Sequence, residues 1–189
     1  VSTRDLSDTP EHPTVISTER VFDGAIWDVV RERFDYNGDV LRRDYVDHPG
    51  ASAVVALDPD NNVLLLRQYR HPVRSRNWEL PAGLLDVVGE DPAEAARREL
   101  AEEAGYAASD MVHLVTLNVT PGGSNEVIHI FLATGLRQVD HDFVATGEEA
   151  DLEVAFWPLS DAVDAAMAGR IRNQISVTGL LAAHVHQQS

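Results

Sequence analysis

Residues 98–105 read Arg-Glu-Leu-Ala-Glu-Glu-Ala-Gly and place three carboxylates within five positions. The flanking residues make this segment helical: Asp91 suits an N-cap, Pro92 the first helical position, Glu94 a capping-box-like spacing, and Gly105 a stop. The pattern predicts a helix from about residue 92 to 104, with Glu99, Glu102 and Glu103 at i, i+3 and i+4 on one face. Like charges packed this closely destabilise a bare helix by roughly 0.2–0.5 kcal/mol per pair. A Glu-rich helix is ordinarily a solvated face, and Arg98 can pair with Glu102 four residues on. A hard divalent cation such as Mg²⁺ or Mn²⁺, which prefers oxygen ligands, would relieve the repulsion more fully.

The spacing around the helix is more specific than its charge. Gly83, six residues, Glu90, seven residues, Arg98-Glu99-Leu100, one residue, Glu102-Glu103, one residue, Gly105 and the apolar Tyr106 follow in order. This run resembles the Nudix box of the Nudix hydrolases. It departs from the family pattern, which has one residue fewer between the glycine and the first glutamate. The insertion falls in the loop before the helix and leaves the spacing of the helical acids unchanged. The resemblance implies an α/β/α sandwich with a mixed sheet, the box helix on one face and the terminal helices on the other.

Composition narrows the chemistry. Thirty-one acids against 15 bases give a net charge of −16, which opposes binding to nucleic acid or to an anionic membrane. A small phosphorylated substrate is compatible with that charge if metal ions supply the local positive field. Every basic residue is arginine, so lysine Schiff-base chemistry and a Walker-type phosphate loop are excluded. No cysteine is present, which removes disulfides, thiolate nucleophiles and cysteine-bearing zinc sites. No apolar run approaches the length of a membrane span, and charged residues interrupt the N-terminal segment, so a cytoplasmic enzyme is expected.

Along the chain, residues 1–50 read as a small antiparallel β-sheet unit and residues 51–189 as the catalytic domain. Asn37-Gly38 is a hairpin turn that sets residues 31–36 against 39–46. Residues 51–57 and 63–70 read as strands around a turn at 58–62, followed by Arg70, Arg74 and Arg76, then Trp78 and Glu79. Planar guanidinium groups there suit phosphate oxygens. Residues 111–119, 126–134 and 152–157 read as strands. A short helix is expected over 158–168, capped by Ser160, and a final helix within 170–186 that docks through Ile175, Leu180, Leu181 and Val185.

Two further features resemble the ADP-ribose pyrophosphatase subgroup: Glu79 directly before Leu80-Pro81-Ala82-Gly83, and Pro121-Gly122-Gly123-Ser124-Asn125-Glu126, whose proline lies 15 residues after Tyr106. The resemblance implies Glu99, Glu102 and Glu103, with the Ala82 carbonyl, as ligands to more than one Mg²⁺ or Mn²⁺ ion. Glu102 is also a catalytic candidate. Arg98 and Glu90 take supporting roles. It implies a catalytic base on the polar loop before residue 152, Glu148 or Glu149, and a substrate pocket that includes Arg70, Glu79 and Gly122. It also implies a homodimer built by the N-terminal unit, from which Trp27 stacks on adenine. The substrate is then a nucleoside diphosphate derivative, ADP-ribose cleaved to AMP and ribose 5-phosphate. Another sugar nucleotide, such as a GDP-sugar, is the alternative, and a non-catalytic sensing module the less favoured one.

Overall fold

The structure, a computed structural model, describes residues 6–140 and 151–189. The chain divides into two compact units, one formed by the chain up to His48 together with Gly122–Ser124, the other by Pro49–Pro121 and Asn125–Ser189.

The first unit is a three-stranded antiparallel sheet of β1 (Thr14–Phe22), β2 (Asp28–Tyr36) and β3 (Asp39–Asp47), in that order. Its tight hairpin follows from Asn37 and Gly38, both at positive φ (55° and 86°), the conformation a two-residue turn requires. Arg31 and Asp44 face each other across β2 and β3, joined by two hydrogen bonds of 2.8 Å. The loop Gly122–Ser124 adds to β3: the Val46 amide donates to the Gly123 carbonyl at 2.9 Å. β1 is exposed along its whole length, including Val15, Ile16, Val21 and Phe22. Ile26 and Trp27 lie just before β2.

The second unit holds β4 (Ala51–Ala56), β5 (Asn62–Arg70), a 3₁₀ turn (His71–Val73), β6 (Ser75–Glu79), β7 (Ala82–Leu84), α1 (Pro92–Ala104), β8 (Tyr106–Asn118), β9 (Val127–Gln138), β10 (Glu153–Pro158), α2 (Leu159–Met167) and α3 (Gln174–His186). One sheet runs β7-β4-β9-β8 and another β10-β5-β6. β4 and β9 are parallel while the other pairs are antiparallel, so the architecture is mixed.

Alternation along the central strands explains the layering. Val54, Ala56, Leu64, Leu66, Phe131 and Ala133 pack with Ala96 and Leu100 of α1. Their neighbours Ala53, Val55, Val63, Leu65, Ile130 and Leu132 pack with Leu159, Ala162, Leu180 and Ala183 of α2 and α3. Strands buried on both faces read as continuous apolar runs rather than alternating ones, as residues 53–57 and 63–66 do. The α/β/α sandwich expected from the sequence is the one observed.

Some local readings need correction. α2 is preceded by Pro158 at the N-cap without a side-chain cap, and Ser160 lies inside the helix. Leu180 of α3 is fully buried and Ile175 and Leu181 partly so, but Val185 is exposed. It lies in the last turn, beyond the part of the helix that docks.

α3 approaches the sheet closely at Gly179, where a Cβ would stand 2.6 Å from Leu80 Cδ1 and 3.1 Å from Val55 Cγ2. Gly179→Ala is therefore expected to destabilise the protein by about 1–3 kcal/mol through overpacking. That outweighs the roughly 0.5–1 kcal/mol that alanine gains over glycine in a helix. Thermal or urea unfolding checks the sign, since propensity alone predicts stabilisation.

Candidate active site

The acidic helix forms because its ends are well made. Asp91 accepts a hydrogen bond from the Ala93 amide, Pro92 opens the first turn, and Gly105 closes the helix in the left-handed conformation (φ 72°). Glu94 turns to Arg97 at 3.4 Å. The extra residue in the preceding loop is absorbed by a turn in which the Glu90 amide donates to Val87 O, with Gly89 at φ 82°. Glu90 still reaches the helix.

Arg98 is the hub of the cluster. Its Nε and Nη2 donate to the two carboxylate oxygens of Glu90 at 3.2 and 3.1 Å, and its Nη1 donates to Glu99 at 2.5 Å and to Glu102 at 3.3 Å. These partners, Glu90 foremost, raise the guanidinium's pKa further, so Arg98 is a fixed cation. Burial pushes the Glu99 carboxyl above its ordinary range, against the pull of Arg98. Glu99 has 12% of its side chain exposed and Glu102 39%.

The segment Leu80-Pro81-Ala82-Gly83 is pinned against this cluster from several directions. The Leu80 amide donates to Ser176 Oγ of α3 at 3.0 Å, Pro81 O accepts from Val54 N at 3.0 Å, and the Ala82 amide donates to Glu103 at 2.9 Å. At Gly83 the carboxylate of Glu99 occupies the place a side chain would take. Ser176, itself oriented by Asn173 at the α3 N-cap, carried no signal in the sequence beyond its place near a helix start.

A metal fits this donor set. Three flexible carboxylates supply the hard oxygens such a cation prefers, and the missing Cβ at Gly83 leaves room for that of Glu99. Their present orientations serve other partners: Glu99 and Glu102 converge on Arg98, and Glu103 on Ala82. Among the described residues no group of three His, Cys, Asp or Glu is already arranged around one point. Glu99, Glu102 and Glu103 could hold the ion by exchanging these bonds for metal bonds.

Strand alternation sorts the arginines that the sequence left together. Arg70 lies on the α1 side with Gln68 and Glu79, and donates to the buried Glu79 carboxylate through Nε and Nη2, the latter at 2.8 Å. Gln68 Nε2 donates to the same carboxylate at 3.3 Å. It went unremarked in the sequence, where the only hint was a polar residue at a strand position that alternation buries. Arg76 lies on the opposite face, paired with Asp151. It lines a cavity of about 620 Å³ with Arg67, Trp78, Trp157 and Arg170. Trp78 meets Trp157 edge-on and has Arg67 over its ring at 5.7 Å. Arg74 is exposed beyond the 3₁₀ turn.

Trp27 and Gly122 belong to the first unit. Trp27 is 44% exposed, with its ring 5.1 Å from that of His48, and Gly122 is exposed. Glu148 and Glu149 lie outside the described residues. No helix among the described residues is long and apolar enough to cross a membrane.

Comparison with known proteins agrees with the geometry. The NUDIX domain family model matches residues 46–176. The chain is 44% identical over 170 residues to an ADP-ribose pyrophosphatase of Mycobacterium tuberculosis, covering 89% of this chain and 82% of that protein. It is 35% identical over 147 residues to an ADP-ribose pyrophosphatase of Bacillus subtilis, covering 74% and 79%. A crystal structure of an ADP compounds hydrolase superposes with a TM-score of 0.78 at 24% identity, over 96% of this chain and 97% of that one, a likeness of fold. A family match across most of the chain, joined to relatives this similar along most of their own length, makes the chain a hydrolase of the NUDIX domain family.

Proposed function

We infer that this Nudix hydrolase cleaves the pyrophosphate bond of ADP-ribose with water, giving AMP and ribose 5-phosphate. The observation that carries the reading is the convergence of Glu99 and Glu102 on Arg98, with Glu99 against Gly83 and Glu103 on the adjacent Ala82 amide, in a chain whose curated relatives named above are ADP-ribose pyrophosphatases. Glu99, Glu102, Glu103 and the Ala82 carbonyl would hold Mg²⁺ or Mn²⁺, more than one ion. When bound, these ions supply charge neutralisation at the P–O–P bridge and activation of water.

The remaining work falls to the chain. Arg98, braced by Glu90, orients Glu99 and Glu102 through charge-assisted hydrogen bonds. Arg70, held by the buried Glu79, presents a partly exposed guanidinium to the phosphates. Glu148 or Glu149 takes the proton of the attacking water, and Glu102 serves the same chemistry from the helix. The protein works as a homodimer. The exposed apolar residues of β1 support pairing through the N-terminal sheet, with Trp27 stacking on adenine and Gly122 admitting the substrate close to the backbone.

A substrate panel with Mg²⁺, separating products by anion-exchange chromatography, tests the reading. ADP-ribose is expected to yield AMP and ribose 5-phosphate with kcat/KM at least about tenfold above that for a GDP-sugar or a dinucleotide, a discrimination of about 1.4 kcal/mol. Chelation with EDTA is expected to abolish turnover. Of Glu148→Gln and Glu149→Gln, the one that removes the base should cost about 10²–10⁴ in kcat. Faster cleavage of the GDP-sugar would transfer the assignment to the alternative substrate.

A further inference from the structure

Ser52 lies within β4 and is wholly buried. Its Oγ makes no hydrogen bond, and no other buried side-chain polar atom among the described residues shares that condition. Buried hydroxyls in folded proteins are satisfied by protein groups or by ordered water.

The strand register shows where this hydroxyl is directed. Ser52 pairs with Gly83 of β7 on one side and with His129 of β9 on the other, and His129 pairs with Thr116 of β8. One polar rung therefore crosses all four strands as Gly83, Ser52, His129 and Thr116. Alternation puts it on the α1 face, where Val54 and Phe131 also point. At its far end Thr116 Oγ1 is already engaged, 3.1 Å from His129 Nδ1 and 2.9 Å from His113 Nε2.

At its near end, the side-chain position of Gly83 is filled by the Glu99 carboxylate, whose Cδ and Oε1 both lie 2.0 Å from where a Cβ would be. Directly paired residues hold their Cβ positions about 4.5–5.5 Å apart. The orphaned Ser52 hydroxyl and the Glu99 carboxylate therefore occupy adjacent side-chain positions of one rung.

We propose that Ser52 is a positioning residue: from the strand position opposite Gly83, its hydroxyl holds the Glu99 carboxylate in the orientation that receives the divalent metal. The proposal rests on the metal-dependent reading above and adds a residue outside the box to it. Groups that orient a metal ligand from behind change metal affinity by about 10–100-fold when removed.

Calorimetric titration of Mn²⁺ into metal-free protein without substrate tests it, using the wild type, Ser52→Ala and Ser52→Thr. Ser52→Ala is expected to weaken Mn²⁺ binding by about tenfold or more with the thermal midpoint unchanged. Ser52→Thr, which retains a hydroxyl, is expected to bind Mn²⁺ like the wild type. At saturating Mn²⁺ the kcat of Ser52→Ala should recover while its metal requirement stays raised, a split that a general loss of folded protein would not produce. Wild-type affinity in Ser52→Ala, or an equal loss in Ser52→Thr, would overturn the proposal and leave the metal reading intact. If the wild type itself takes up no Mn²⁺, the metal reading fails and this proposal fails with it.

Discussion

Replacing Glu99 by glutamine is expected to lower kcat on ADP-ribose by about 10²–10³, the usual cost of removing one charge-stabilising group from an active site, without unfolding the protein. Glu99 is more enclosed than Glu102, packed on the Gly83 backbone and bonded to Arg98 Nη1. Glutamine keeps the shape and removes the charge, so Arg98 retains Glu90 and Glu102 as partners. The thermal midpoint of the metal-free variant should be unchanged or raised, because a carboxylate held against burial no longer has to be desolvated. Addition of Mg²⁺ should then raise the midpoint of the wild type more than that of the variant. Steady-state kinetics with paired melting curves, with and without Mg²⁺, give all of these readings. A variant that retains wild-type kcat and the full metal-dependent shift would remove Glu99 from the metal site.

Gly83→Ala is expected to reproduce most of that loss from the opposite side of the contact. A Cβ there would sit 2.0 Å from the Glu99 carboxylate carbon and one of its oxygens, and 2.5 Å from its Cγ, so the carboxylate must move. What yields is the end of a flexible side chain, and the backbone of Gly83 is not in the left-handed region. The cost to folding is therefore about 0.5–1.5 kcal/mol, that of a displaced rotamer. The cost to activity is larger, since a misplacement of about 1 Å can lower turnover 10²-fold. The double variant Gly83→Ala with Glu99→Gln should lose little beyond the worse single variant, because both changes act through one carboxylate. Additive losses would mean that Gly83 serves the site in some other way, such as admitting substrate to the backbone.

Much of the site was legible because its determinants are local. The limits of α1 follow from Asp91, Pro92 and Gly105, each acting within one turn of its own position. The shared face of Glu99, Glu102 and Glu103 follows from helical spacing alone, and the β2–β3 hairpin from Asn37 and Gly38. The family resemblance, carried by those same residues, supplied the fold. Where local signals were weaker the reading slipped: Ser160 has a capping residue's chemistry, yet α2 begins one residue earlier.

Other features depend on which strand lies beside which, and no local pattern specifies that. Arg70 and Arg76 look equivalent in the chain, but strand alternation sends Arg70 to Glu79 on the α1 face and Arg76 to Asp151 on the other. Gln68 becomes a support for Glu79 only because β5 and β6 pair in their observed register. Nothing local in Gly122–Ser124 points to β3, and the bond from Val46 to Gly123 joins residues distant in sequence. In the chain Gly83 is the first position of the box pattern, and the structure shows that its missing side chain makes room for the Glu99 carboxylate. By itself, then, the sequence determined the helix, its acids and the chemistry they suit, since periodicity and capping act over three or four residues. Only the tertiary structure decided which arginine meets the buried Glu79 and what fills the space beside Gly83, since both answers lie in contacts between segments that the chain order keeps apart.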